Sequence, residues 1–252
     1  MDEIESICHH EAGHAVIAYI LGFKTNRIRL NKDGGGDHES PEDQQHRELI
    51  FTLMNKRNWG RSKPIGSDYK MFSWGGGEGG KPLTKGGRKP RISRNDLSQI
   101  VTEYLAKANL AKEELIRQIN AGITVSWAGP LTSKTKGEKG WNEESSWDDK
   151  FLMHLLAGTV TTSISKYFEF LKSPTEGLLA RPGVWYAITS LGKEMQSQYQ
   201  PGSEQEFAGE WVMSNIRENL GDQALIYQKF GAPYLSEIRE MQKNYEDVSP
   251  II

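Results

Sequence analysis

Apolar residues recur at helical spacing from the start of the chain. Ile4, Ile7, Cys8, Ala12, Ala15, Val16, Tyr19 and Ile20 follow the i, i+3, i+4 pattern of an amphipathic helix. Asp2 stands where it can cap the N-terminus, with Glu5 three residues on in the capping-box position, and Gly22 is a natural stop. The period then shortens to two. Thr25-Asn26-Arg27-Ile28-Arg29-Leu30 alternates polar with apolar, and Asp33-Gly34-Gly35-Gly36 is turn chemistry, which predicts a short β-hairpin. A strand there would offer its exposed edge to an extended peptide; a purely structural hairpin fits the same pattern.

Between residues 55 and 90 the periodicity lapses. Lys56, Arg57, Arg61, Lys63, Lys70, Lys81, Lys85, Arg88 and Lys89 face only Asp68 and Glu78, with glycines between them. A flexible, basic, Gly-rich insertion is expected. From Arg94 the helical period returns and holds nearly to the end. Asn95 or Asp96 can cap a helix carrying Leu97, Ile100, Val101, Tyr104, Leu105 and Ala108, and the same period continues through Leu115, Ile116 and Ile119. Ala121 to Leu131 is a second apolar stretch, closed at Gly129-Pro130 or continued through Pro130. A polar loop from Thr132 to Glu144 precedes a helix from Ser146 to Leu171. Further helices are predicted over Trp185 to Tyr199, Glu204 to Asn219 and Gln223 to Tyr245, with breaks at Pro182-Gly183, Pro201-Gly202 and Gly221. The fold class is therefore mainly α: one multi-helix domain over 1–252 with a short hairpin after the first helix.

Composition changes this picture little. At 252 residues, 37% hydrophobic and 25% charged, with a formal net charge of −2, the chain has ample material for a core and no charge bias toward a particular partner. No apolar run is long enough to cross a bilayer, and the acidic opening is unlike a signal peptide. The single cysteine, Cys8, excludes an internal disulfide framework and fits a reducing compartment, so a cytoplasmic location is expected. Two residues before His10 it projects from another side of the helix, which makes it a core thiol.

The chemistry lies in the first helix. His10-Glu11-Ala12-Gly13-His14 reads H-E-x-x-H: imidazoles four residues apart on a helix point the same way and can grip one zinc ion, while the glutamate between them reaches water at that ion. His10, His14, Ile17 and Leu21 form one line, setting the metal above an apolar seam. A catalytic zinc needs a third protein ligand and an open fourth position. Position 20, six residues after His14, is isoleucine, so the extended three-histidine pattern does not apply. Glu143, Asp148 and Asp149 are candidates that chemistry alone does not rank. His38 and His46 have no paired spacing to the motif and read as surface histidines. Gly75 to Lys81 imitates a phosphate loop, but Pro82 stands where a hydroxyl would hold magnesium. Trp59, Tyr69, Phe72 and Trp74 among the cations suit a nucleic acid or acidic partner; a solvated basic loop is the reading preferred, and no nucleic acid is expected.

The chain resembles the protease domain of the FtsH-type zinc metalloproteases. The resemblance is carried by His10-Glu11-Ala12-Gly13-His14-Ala15-Val16, the strand and glycine turn that follow, Ala128-Gly129, and Ser146-Trp147-Asp148-Asp149, strung over about residues 1 to 170. It implies that Asp148 is the third zinc ligand and Asp149 its unliganded neighbour. The segment Pro130-Leu131-Thr132-Ser133-Lys134 departs from the acidic helix usual there, and no ATPase module or membrane anchor is read in these residues. An ATP-independent zinc metallopeptidase is therefore expected, with Glu11 as general base, acting on unfolded or flexible protein or peptide, or working beside a separate unfolding partner. The alternatives are a catalytically inactive zinc-binding scaffold, against which the intact Glu11 argues, and a partner-binding protein. The oligomeric state is left open.

Overall fold

The computed structural model describes residues 3–31, 35–40, 49–50, 52–53, 93–135, 147–245 and 248–250. The chain is mainly helical, as the periodicity predicts. Helix α1 (Glu3–Ile20) is followed by β1 (Arg27–Leu30) and β2 (Gly36–Glu39), then by α2 (Arg94–Ala108), α3 (Lys112–Thr135), α4 (Trp147–Val160), α5 (Ile164–Phe170), α6 (Lys172–Leu179) and α7 (Val184–Gln198). A third strand, β3 (Gln205–Ala208), leads into α8 (Gly209–Leu220) and α9 (Gln223–Lys243). The basic insertion, His46 and Glu143 lie outside the described residues.

Helix α1 is the central element, packed between α3 and α7. Cys8, Ala12, Ala15, Val16, Ile17, Ala18 and Ile20 are all fully buried, so the helix is enclosed rather than half-exposed. Each large aliphatic among them contributes about 1.5–3 kcal/mol by leaving water. Small residues set the spacing. A Cβ on Gly13 would stand 3.0 Å from the Ala128 carbonyl oxygen, so α1 and α3 approach at a distance that a larger residue would forbid. The helix stops at Gly22, whose φ of 82° is the left-handed region that favours glycine.

Several boundaries differ from the periodic reading. Ser93, not Asn95 or Asp96, caps α2, its hydroxyl accepting the Asp96 N–H. The apolar run that continues through Leu115 is broken at Asn109, in the left-handed region at φ 50°, while α3 continues through Pro130 to Thr135. The helix expected over 146–171 is two, divided at Thr161-Thr162-Ser163, and α6 was not foreseen. The helix expected from Glu204 begins instead at Gly209, because Gln205 to Ala208 pair with β1.

The sheet therefore has three strands in the order β2-β1-β3, all antiparallel neighbours. Ile28 faces inward between His38 and Phe207, while Arg27 ion-pairs with Glu39 at 2.8 Å and Glu206 at 3.1 Å on the other face. Those partly exposed pairs set register more than they add stability. The predicted first strand is the middle of the sheet, with both edges paired, so the edge beside α1 belongs to β2.

Candidate metal centre

His10, Glu11 and His14 lie on the middle turns of α1. Across them runs α3, and from the first turn of α4 comes Asp149. Its two carboxylate oxygens meet the two imidazoles separately: Oδ2 is 3.0 Å from His10 Nε2 and Oδ1 is 3.1 Å from His14 Nε2. The imidazole rings meet edge to face, centroids 4.8 Å apart. The ligand-type atoms of His10, His14 and Asp149 all lie within 4.8 Å of one another. A carboxylate in the first turn of α4 also sits at the positive end of that helix's dipole.

The residue meeting the histidines is Asp149, which the sequence analysis made the unliganded neighbour of Asp148. The side chain of Asp148 lies outside the described residues. Adjacent helical positions are turned about 100° from each other, so the choice between them depends on the rotation of α4 against α3, which no local pattern encodes.

With one ligand atom from each residue and all of them within 4.8 Å of one another, His10, His14 and Asp149 could hold a metal ion. Two nitrogens and one carboxylate are the donor set of a catalytic zinc, with a fourth position left for water. Gly129 keeps the space clear, since a Cβ there would stand 2.4 Å from His14 Nε2 and 2.7 Å from His10 Nε2. Outer contacts aim the ligands. His14 Nδ1–H donates to the Val125 carbonyl oxygen at 2.7 Å, leaving Nε2 for the metal. His10 Nδ1 is 3.4 Å from Ser133 Oγ, a weaker version of the same arrangement. Val125, Gly129 and Ser133 all lie on α3.

Charge is distributed to match. The side chains of His10 and Asp149 keep 16% and 17% of their surface, against 7% for His14, so solvent reaches the centre from one side. Burial works to lower the His14 pKa, but the Asp149 carboxylate overrides it and raises the value to about 9. Burial works to raise Asp149, and the two imidazoles hold it well below the usual carboxylate range. Glu11 is 4% exposed, and burial pushes its pKa up against the opposing pull of His10 and His14. Gly36 of β2 lies directly over that carboxylate, where a Cβ would be 2.6 Å from Oε1.

His38 is the residue that sequence reasoning placed wrongly. Half-buried rather than fully solvated, it lies outside the ligand group but packs on the centre, its ring 6.1 Å from that of His14. Burial drives its pKa down to about 3. The available signal was strand alternation, which puts position 38 on the same face as Gly36 and opposite inward Ile28. Cys8, by contrast, is a fully buried core thiol as expected. No protein-family model matches the chain, and no curated protein and no solved structure matches it. Among the described residues, no helix is long and apolar enough to cross a membrane.

Proposed function

We propose that this protein is a zinc metallopeptidase in which His10, His14 and Asp149 hold the ion and Glu11 is the general base. The observation that carries this reading is the convergence of two H-E-x-x-H imidazoles and a carboxylate from a distant helix, beside a buried glutamate with a raised pKa. A structural zinc site has no use for such a base. The packing of Gly129 on both imidazoles supports the resemblance to the FtsH-type protease domain, with the third ligand moved from Asp148 to Asp149.

Zinc held there supplies Lewis acidity, acidifying water and polarising a carbonyl. Glu11 accepts the proton of the attacking water and delivers it to the leaving amine, a task suited to a carboxylate whose pKa burial raises. Val125 and Ser133 keep the two ligand nitrogens aimed, and Gly129 leaves room for the ion. Strand β2 runs beside Glu11 and has no second strand neighbour among the described residues, so an extended peptide pairing with it would lie over the base. Such a substrate must be unfolded or flexible, or be unfolded by a partner.

The zinc-loaded protein should degrade casein without nucleotide. Chelation should stop the reaction and added zinc should restore it. Absence of cleavage in a preparation carrying one zinc per chain would contradict the reading and point to a zinc-binding scaffold.

A further inference from the structure

Strand β2 carries a third imidazole to the centre, and the mechanism above leaves it without a role. His38 pairs across the hairpin with Ile28, so it shares the inward face with a fully buried isoleucine. A polar ring on that face is costly unless bonded. Its Nε2 lies 2.9 Å from Thr25 Oγ1, and Thr25 is itself buried in the connection between α1 and β1. The ring lies at 27° to that of His14 with centroids 6.1 Å apart, within the range of stacked aromatic pairs. Its nitrogens are not part of the three-residue ligand group.

Besides the Asp149 carboxylate at its Nε2, His14 has contacts of three kinds. Val125 takes its Nδ1–H, His10 meets it edge-on, and His38 stacks on it. Val125 and Asp149 hold the two nitrogens and fix the direction of the ring, but both lie in its plane and permit rocking about the line joining them. A second ring lying nearly parallel to it restrains that motion.

We propose that His38 is a positioning residue of the metal centre: anchored by Thr25 and stacked on His14, it holds His14 Nε2 on the ion. The hairpin is then a working part of the site, supplying Gly36 over Glu11 and His38 over His14. The inference rests on the reading of His10, His14 and Asp149 as metal ligands.

The test is zinc titration of the metal-free full chain against a chelating dye, with the visible spectrum of the cobalt-substituted protein as a second readout. His38→Ala should weaken zinc binding about tenfold, the lower end for loss of an outer contact, and alter the cobalt bands. His38→Phe keeps a ring and should recover most of the affinity. Thr25→Val keeps the imidazole but removes its anchor, and should give a smaller loss with the same spectral change. Wild-type affinity and spectrum in both His38→Ala and Thr25→Val would overturn the proposal while leaving the metal site intact. A His38→Phe protein as weak as His38→Ala would overturn the stacking role. A wild type that takes up no zinc would overturn the reading of the site itself, and this inference with it.

Discussion

Helix α1 meets its two main neighbours in contrasting ways, although a histidine faces a glycine in both. Against α7, His9 is fully buried, donates Nδ1–H to the Glu5 carbonyl oxygen at 2.7 Å, and lies on Gly192, where a Cβ would be 3.0 Å from the ring. Against α3, His10 and His14 lie on Gly129 and turn their Nε2 atoms toward Asp149. Consecutive residues of one helix thus have different fates. In both interfaces the glycine makes room for imidazole, and in the second, on the proposed reading, it also makes room for the ion that the two imidazoles would hold. The difference lies in what surrounds the imidazole: a local backbone acceptor for His9, and a distant carboxylate for His10 and His14.

The sharpest way to break this comparison is to remove that carboxylate. Asp149→Asn should lower zinc affinity by more than about a hundredfold, since it removes a direct ligand, whereas Asp148→Asn should leave it within about a few-fold; the two effects bracket the 10- to 100-fold typical of outer-shell losses. Equilibrium dialysis would measure both, and the reverse order would restore Asp148 as the ligand. Gly129→Ala comes next. Its methyl group would meet both Nε2 atoms, so zinc affinity should fall at least tenfold while the helix, favoured by alanine by about 1 kcal/mol, keeps its circular dichroism.

Proton linkage sharpens the contrast further. His14 has its pKa raised from 6.5 to about 9 without metal. Its pairing with Asp149 therefore stabilises the metal-free fold fully below pH 6.5, and that stabilisation is lost as pH rises through about 9. Zinc must displace the same proton. Affinity should thus climb about tenfold per pH unit between neutrality and pH 9 and then level off, with proton release on binding measurable by calorimetry in buffers of different ionisation enthalpy. A pH-independent affinity would contradict the pairing. The smallest effect belongs to the other interface. Gly192→Ala crowds His9 at a cost of about 1–3 kcal/mol, partly offset by about 1 kcal/mol of helix propensity. Thermal melting should show a modestly lower Tm with zinc affinity unchanged.

How far the sequence discloses each interface follows from the range of the interactions. The H-E-x-x-H helix is legible because its periodicity and its motif are both contained in eighteen residues. The hairpin is legible for the same reason. Strand β3 is not: four residues precede a helix directly, and what makes them a strand is backbone pairing with the distant β1, Arg29 opposite Glu206 and Arg27 opposite Ala208. Chemistry left Glu143, Asp148 and Asp149 unranked and the resemblance chose Asp148, whereas Asp149 is the carboxylate that meets the histidines, because helix phase is set by packing. His38 was missed because spacing from the motif was weighed and strand alternation was not. Val125, a backbone acceptor on α3, has no sequence signature at all.

The most direct test of the central claim is Glu11→Gln beside wild type, comparing bound zinc and casein cleavage in the same preparations. The account predicts one zinc per chain in both proteins and cleavage by the wild type alone, because the base contributes to turnover and not to the ligand set. Loss of zinc in Glu11→Gln, or cleavage undiminished by it, would contradict the assignment of Glu11 as the base at this metal centre.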